Sequence, residues 1–268
     1  MKSFKFVLSL LLLLLIYSLQ SSAQTIRLFP ENKIYDKYYA DALSHQFSLS
    51  KQFESNEWFG NIGIEKPLVN FEFDENIYQF TVAATVFNTL KITPPHIQVF
   101  TADYLVDLFI DKKFYDNFIL RFNWGHLSAH FSDDGITQLN RKSINYVRDY
   151  IGIASENLLN IINGKIYYSA SYNFHNEPKK DKHIHLQLGF DGGKYLSNEL
   201  LLYFAFDFKI KEEVNYGSTK SFQVGLKYAQ GKLSNIRLAY TFRAGFEERG
   251  QLYNESDDKH LIGLFFDF

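Results

Sequence analysis

Three side chains are spaced so that they could form a nucleophilic site. His126 and Ser128 lie two residues apart, and on a β-strand that spacing places both side chains on one face, about 6.6–7 Å apart. An imidazole beside a hydroxyl can take the hydroxyl proton and activate the oxygen as a nucleophile. An acceptor on the far ring nitrogen would fix the tautomer. Asn140 opens the next predicted strand, where a tight hairpin would pair it with Ser128. We expect His126 to act as general base, Ser128 as nucleophile and Asn140 as the orienting acceptor.

A metal site is an alternative chemistry for the same stretch. His126 and His130, with Asp133 or Asp134, offer nitrogen and oxygen ligands. Histidines four apart on one strand, however, diverge too far to share an ion unless the strand contains a bulge. The His-x-His pair at 183–185 offers two imidazoles without a carboxylate in sequence reach. We therefore expect no metal and no cofactor.

The same residues also allow a purely structural interpretation. His126 and His130 would then belong to the polar and aromatic girdle that barrels carry at the membrane surface. Ser128 would have no role, and the run at 133–135 would only make a turn. Both the hydrolase and the structural interpretation remain open at this point.

The elements that must position these residues are predicted to be β-strands. In the last ten residues, Ile262, Leu264, Phe266 and Phe268 share one face, and alternation with period two is typical of a strand with one apolar side. A chain that ends on such a strand, with Phe as its final residue, carries the sorting signature of outer-membrane β-barrels. We therefore expect the barrel-assembly machinery to recognise the strand that ends in Phe268.

The amino terminus predicts export across the inner membrane. Lys2 and Lys5 precede an apolar run over 6–19, and small residues follow at 21–23. This order of charged, apolar and small residues is typical of a cleaved signal peptide. The expected domains are a signal peptide (1–23), a periplasmic or plug segment outside the sheet (24–56) and a transmembrane β-barrel (57–268).

Composition excludes several other classes of protein. Aromatic residues make up 18% of the chain, with 27 Phe and 18 Tyr, yet the mean hydropathy is only −0.21. Strands that alternate between lipid and lumen produce this combination. The net charge is −2, and no basic patch indicates nucleic acid. The chain has no cysteine, which excludes disulfides and thiolate metal sites.

Alternation and turn residues predict an all-β fold, a closed antiparallel transmembrane barrel of about twelve strands, with about ten as the other count. The first two strands could instead be one irregular strand or part of a plug. The predicted strands cover 57–65, 67–73, 76–87, 97–110, 116–130, 141–154, 161–175, 182–190, 198–210, 218–229, 233–246 and 258–268.

The connections are predicted to be short at the periplasmic end and longer at the outer end, as in outer-membrane barrels of Gram-negative bacteria. All the longer loops should emerge opposite both termini. The predicted short turns are 74–76, 111–113 and 230–232. The predicted outer loops are 88–96, 131–139, 176–182 and 247–258.

The inward faces of the strands are predicted to be polar. In a narrow barrel such groups should pair with one another and fill the lumen, although a transport path is the other possibility. In the strand before the loop at 131–139, His126 and Ser128 share parity with Phe118, Leu120 and Phe122, so we expect both to face lipid. In the strand after that loop, even positions are assigned to lipid. Tyr146 and Tyr150 suit that face, whereas Arg148 does not. The clearest inward polar residues are Asp103, Asp107, Arg121, Asn123, His183, His185, Gln187, Asp207, Lys209, Arg237 and Arg243.

Over most of the mature chain, the sequence resembles the bacterial domain-of-unknown-function family 1207, a group of expected outer-membrane barrels. That resemblance implies a barrel and carries no established activity. The residues that support it are 126–134, 144–148, 168–178 and 186–189, with 28–30 and 40–41 near the start.

A more local resemblance concerns the pair His126 and Ser128. Their His-x-Ser pattern is similar to the catalytic pair of outer-membrane phospholipase A and of lipid A 3-O-deacylase. In those enzymes an Asn or Glu twelve residues after the Ser orients the His, and Asn140 stands at that spacing, followed by Arg141 as in the phospholipase. The resemblance implies an acyl-ester hydrolase whose partners are phospholipid or lipopolysaccharide. A non-enzymatic barrel, either structural, adhesive or a small-solute pore, is the alternative.

Overall fold

The computed structural model describes residues 25–73, 76–229 and 235–267. The predicted signal peptide and Phe268 lie outside these ranges. Within them, no helix is long and apolar enough to cross a membrane. The described elements are β1 (Thr25–Leu28), β2 (Phe47–Gln52), β3 (Glu57–Phe73), β4 (Asn76–Thr93), β5 (His96–Tyr115), β6 (Phe118–Phe131), α1 (Asp133–Leu139), β7 (Tyr146–Leu159), β8 (Gly164–Glu177), β9 (Ile184–Tyr195), β10 (Leu200–Lys211), β11 (Gly217–Ala229), β12 (Asn235–Phe246) and β13 (Ser256–Asp267), with short 3-10 turns at Asn160–Ile162, Glu212–Val214 and Gly250–Leu252.

Antiparallel pairing closes the strands into a barrel. Each strand from β2 to β13 pairs with the next, and β13 returns to pair with β2, for example at Leu264 and Leu49. The ring is therefore closed in the part of the chain that the structure describes. Lipid requires this closure because it offers no water to unpaired backbone groups. The predicted closed antiparallel barrel of twelve strands is confirmed, with β2–β13 as its strands.

The twelve strands of the structure differ from the twelve predicted strands. The stretches 57–65 and 67–73 form one strand, β3, with a shift in register between Pro67 and Val69. Proline has no N–H to donate to a neighbouring strand, so a local irregularity at Pro67 is the expected result. The sequence therefore overcounts by one strand here.

The missing strand comes from the segment 24–56, which was expected to lie outside the sheet. That expectation is wrong for β1 and β2, since β2 completes the ring and β1 pairs with the far half of β3. In β2, Phe47 and Leu49 are exposed on the outer face, whereas Ser48 and Ser50 are buried. This short alternation suits a barrel strand, and the last strand of the barrel needs such a partner.

Apolar side chains cover the outside of the barrel. The stripes predicted from alternation are exposed, and a continuous apolar belt of this kind fits lipid rather than water. The exposed members include Tyr104, Val106, Ile110, Phe122, Trp124, Tyr168, Tyr172, Phe174, Leu186, Leu188, Leu202, Phe204, Phe222, Leu226, Leu238, Tyr240, Ile262 and Leu264.

The inside of the barrel holds residues 30–46, called the lumen segment below. The imidazole of His45 is buried between two strands, 2.8 Å from Thr85 Oγ1 and 2.8 Å from Asp107 Oδ2. On the opposite wall, the Nζ of Lys209 donates to Asp41 Oδ1 at 2.6 Å. A cavity of about 190 Å³ remains beside the segment. Paired polar groups therefore occupy most of the lumen at this level.

The loops and the carboxyl-terminal end of the barrel lie on opposite sides. Because neighbouring strands are antiparallel, the connections at 132–145, 178–183 and 247–255 emerge at one end, and Asp267 lies at the other. This matches the predicted placement of three of the four outer loops. The loop 247–255 folds inward, where Arg249 is almost fully buried.

Two predicted connections are wrong. There is no long loop at 88–96, because β4 continues to Thr93 and β5 begins at His96. There is no turn at 111–113 either, because β5 continues to Tyr115 and its Lys112 donates to the hydroxyl of a tyrosine on β4. The other predicted turns, 74–76 and 230–232, fall wholly or largely outside the described residues.

Candidate functional site

His126 and Ser128 lie on the outer surface of β6, on the face predicted from their parity. Phe122 and Trp124 precede them on the same exposed face, whereas Leu127 between them is buried in the lumen. The side chain of His126 is 48% exposed, and Ser128 is half-buried. The two side chains therefore continue the lipid-facing stripe toward the loop end of the barrel.

The predicted pairing of Ser128 with Asn140 is wrong. Ser128 pairs with Val147, and Asn140 instead ends helix α1 with a left-handed backbone, at φ 50°. The connection is a helix rather than a tight hairpin because Ser132 caps it, its hydroxyl accepting from the Gly135 N–H at 3.2 Å. Two acidic residues in the first turn also favour the helix through its dipole.

Because Ser128 pairs with Val147 rather than with Asn140, the faces predicted for the residues of β7 are reversed. Arg148 and Tyr150, at even positions, point into the lumen, where Arg148 pairs with Glu213 and Tyr150 bonds to an aspartate of β5. The odd positions Ile151 and Ile153 are exposed to lipid instead. This resolves the difficulty with Arg148, because a guanidinium on the lipid face would be costly.

Asp149 occupies the position that was expected for Asn140. It lies directly opposite His126 in the β6–β7 pair, and the Nδ1–H of His126 donates to its Oδ1 at 2.6 Å. Because an ionised carboxylate only accepts, the proton of neutral His126 is on Nδ1 and the lone pair is on Nε2. That tautomer can accept a proton from a serine. Sequence reasoning missed Asp149 because it follows His126 by 23 residues.

A second histidine bonds to the same carboxylate. The Nδ1–H of His175 donates to Asp149 Oδ2 at 2.8 Å, and the pair lies directly opposite in the β7–β8 ladder. Val106, His126, Asp149 and His175 therefore form one row across four strands. Alternation along β8 assigns His175 to the lumen, so the pattern of the sequence does not reveal its place in this row.

Ser128 differs from His126, Asp149 and His175 in its hydrogen bonding. We find no hydrogen bond from its hydroxyl among the described residues. Its neighbours in the adjacent strands are Tyr104 and Val147. The face around Ser128 is thus open to a molecule that approaches from the bilayer.

The geometry does not favour the metal alternatives. Within the described ranges, no group of three or more His, Cys, Asp and Glu side chains is arranged to hold an ion. The ring of His130 packs edge-on against Tyr104 at 6.0 Å. His183 bonds to the carbonyl of Asn173 at 2.7 Å. These contacts give both histidines ordinary structural partners.

Comparison with known proteins supports the fold and leaves the family open. No protein-family model matches the chain, and no curated protein matches it. The resemblance to the domain-of-unknown-function family 1207 therefore stays a prediction.

Several solved structures share the architecture. The outer membrane phospholipase of Salmonella typhi, a dimer with bound calcium, has a TM-score of 0.55 at 16% identity and covers 89% of this chain and 94% of its own. The phospholipase A of Escherichia coli has a TM-score of 0.54 at 15% identity, over 87% and 99% of the two chains. The KdgM porin has a TM-score of 0.48 at 13% identity, over 84% and 98%. The phospholipase structures show that the fold is that of an outer-membrane β-barrel.

Proposed function

We propose that this protein is an integral outer-membrane barrel that hydrolyses acyl esters of membrane lipids at its lipid-facing rim. The observation that carries the proposal is the bond from His126 Nδ1 to Asp149, with Ser128 two residues away on the same face. Histidine, carboxylate and serine are the three groups of a serine hydrolase. Asp149 replaces Asn140 as the orienting acceptor in this proposal.

The proposed chemistry has two steps. The oxygen of Ser128 attacks the ester carbonyl of a lipid while Nε2 of His126 takes the serine proton. The ester C–O bond then breaks, and the leaving alcohol takes that proton from His126. Water releases the acyl group from Ser128 in the second step, again with His126 as base. Asp149 stabilises the imidazolium that forms in each step.

The position of the row on the barrel favours a lipid substrate. Trp124 and Ile151, the next outward-facing pair toward the barrel centre, are exposed apolar residues. The site therefore lies where the apolar belt meets the polar end of the barrel. Acyl esters of phospholipid or lipid A lie at that boundary. A lipid can therefore approach sideways without entering the lumen.

We also propose a route by which the protein reaches the outer membrane and an orientation within it. The chain is exported with cleavage after residue 23, the barrel-assembly machinery reads the strand that ends in Phe268, and the loop end faces the cell exterior. The barrel fold and the terminal alternation support this setting.

The test is turnover of phospholipid and of lipid A by the purified protein in detergent. Ser128→Ala should lower turnover by about a thousandfold or more, because the nucleophile is lost. Ser155→Ala is the matched control, since Ser155 lies on the same lipid-facing side of β7 opposite Leu120 and away from the row. Both variants should keep the heat-modifiable mobility of a folded barrel. Full turnover by Ser128→Ala would assign the activity elsewhere.

A non-enzymatic barrel is the second candidate. Two observations favour it. The hydroxyl of Ser128 has no hydrogen bond in the described residues, and paired polar groups occupy the lumen around His45 and Lys209. Wild-type protein with no turnover of either lipid would support this candidate, and the histidines would then be girdle residues.

A further inference from the structure

The second histidine of the row reaches the lipid face through a β-bulge. Along β8, Tyr172 and Phe174 face outward, so simple alternation would turn His175 toward the lumen. The pairing with β7 shifts by one residue at this point: Tyr150 is opposite Asn173, and Asp149 is opposite His175. Phe174 is the extra residue, and both it and His175 are exposed. A bulge can redirect a side chain in this way.

Contacts on both sides hold the bulge in place. Below it, the backbone of Asn173 bonds to His183, the residue before β9, in two places. The Asn173 N–H donates to the His183 carbonyl at 2.8 Å, and the Asn173 carbonyl lies 2.7 Å from His183 Nδ1. Above it, the side chain of Asn176 points inward and donates to the carbonyls of Lys179 and Lys182 at 2.9 Å and 2.5 Å. The outward direction of His175 is thus set by the hairpin that carries it.

We propose that His175 is a positioning residue of this site. It donates to Oδ2 of Asp149 while His126 donates to Oδ1, so that one carboxylate is held by two N–H groups. This clamp keeps Asp149 ionised, the proton of His126 on Nδ1 and the lone pair of His126 on Nε2. The effect on catalysis rests on the proposed function, whereas the proton position does not.

The physical reason is the free-energy cost of holding an ionised carboxylate where the barrel surface meets lipid. An ionised carboxylate that is partly withdrawn from water is stable only when its oxygens accept hydrogen bonds. With His175 removed, the proton affinity of Asp149 rises. The proton it gains either bonds to Nδ1 of His126, which moves the histidine hydrogen to Nε2, or makes His126 an imidazolium. Both outcomes remove the lone pair that a base needs.

The test is the proton position on His126 in detergent-solubilised protein labelled with 15N histidine. Long-range 1H–15N spectra distinguish hydrogen on Nδ1 from hydrogen on Nε2. The chain has eight histidines, so the signals of His126 are assigned by their loss in His126→Gln. In wild type we expect the form with hydrogen on Nδ1 alone. In His175→Phe, the population ratio of the His126 form with hydrogen on Nδ1 to the other forms of His126 should fall about tenfold. That is the effect of one charge-assisted hydrogen bond.

Two further variants serve as controls. His175→Gln retains an N–H donor and should keep the wild-type spectrum of His126. His260→Phe is the matched control. His260 also faces outward, and its Nδ1 lies 2.6 Å from the hydroxyl of Tyr240 on the adjacent strand β12. Because β12 and β13 are far around the barrel from the row, loss of His260 should leave His126 unchanged. Phenylalanine fits the apolar belt, so both barrels should fold and show heat-modifiable mobility.

The outcomes separate this inference from the proposed function. An unchanged His126 spectrum in His175→Phe would overturn the clamp, even if turnover depends on Ser128. A changed spectrum supports the clamp even if the wild type turns over no lipid. Where turnover exists, His175→Phe should lower kcat about tenfold at unchanged KM, the size of effect typical of a group that orients another.

Discussion

Removing the amino group of Lys209 should strongly destabilise the closed barrel. Its Nζ lies 2.6 Å from Asp41 Oδ1 in the lumen segment and 3.3 Å from Glu248 Oε2 in the inward-folded loop. All three side chains are at most 12% exposed. Lys209 therefore connects the wall, the lumen segment and the loop through one buried cation.

The size of the effect follows from what the substitution leaves behind. Lys209→Met keeps the volume and removes the charge, so Asp41 retains only neutral donors, the side chain of Gln187 at 2.9 Å and the backbone N–H of Leu43 at 2.8 Å. Breaking a buried ion pair from one side costs about 3–5 kcal/mol. We expect the free energy of unfolding to fall by about that amount. Asp41→Asn with Lys209→Met should recover most of it, because the uncompensated carboxylate is gone.

The measurement is urea unfolding of the lipid-reconstituted protein, followed by the fluorescence of its two tryptophans. Lys194→Met, at an exposed position of β9, is the control and should change the unfolding free energy by no more than about 0.5 kcal/mol. If Lys209→Met were as stable as wild type, the lumen segment would not be anchored through this lysine. A double variant as unstable as Lys209→Met alone would contradict the ion-pair explanation.

Two further predictions concern the lumen and the loop 247–255. Replacing residues 31–44 with a glycine–serine linker should open a conducting path in planar bilayers, whereas the intact chain should conduct far less; equal conductance would mean that the lumen segment does not block the path. For Glu247, burial alone would raise the pKa, but Lys259 Nζ at 2.9 Å and nearby Arg243 lower the pKa to about 2. A lowered pKa gives stability that is present above about pH 4.5 and lost as the pH falls toward 2, a difference of about 3 kcal/mol. Acid unfolding curves should therefore show less loss of stability for Glu247→Gln than for wild type, and parallel curves would contradict this assignment.

The lipid-facing surface could be predicted because the bilayer imposes a simple pattern. A strand between lipid and lumen must alternate, and the stripe from Phe118 through Phe122 to Trp124 identified the face of His126 and Ser128 without any knowledge of the neighbours. The face of a residue depends only on its own strand. That is why the outward position of both residues is confirmed.

Register could not be predicted in the same way, because it depends on the length and shape of the connection. The run Asp133-Asp134-Gly135 suggested a turn, which would have brought Asn140 opposite Ser128. The signal for a helix was present, since Ser132 precedes two acidic residues, a typical start of a helix. The helix delays β7, so Val147 meets Ser128 and the parity of β7 reverses.

The candidate site also shows why spacing along the chain finds only part of an outward-facing site in a barrel. Only Ser128 is a neighbour of His126 along a strand. Asp149 and His175 are neighbours across strands, and Asp149 lies 23 residues beyond His126 and 26 before His175. Such separations vary with every loop and every bulge, whereas the row itself is fixed by hydrogen bonds between strands. A proton acceptor in lipid needs partners within bonding distance, and the row supplies them on both sides of Asp149. The groups of this surface are therefore arranged across the strands, and a motif along one strand identifies His126 and Ser128 but not their partners on β7 and β8.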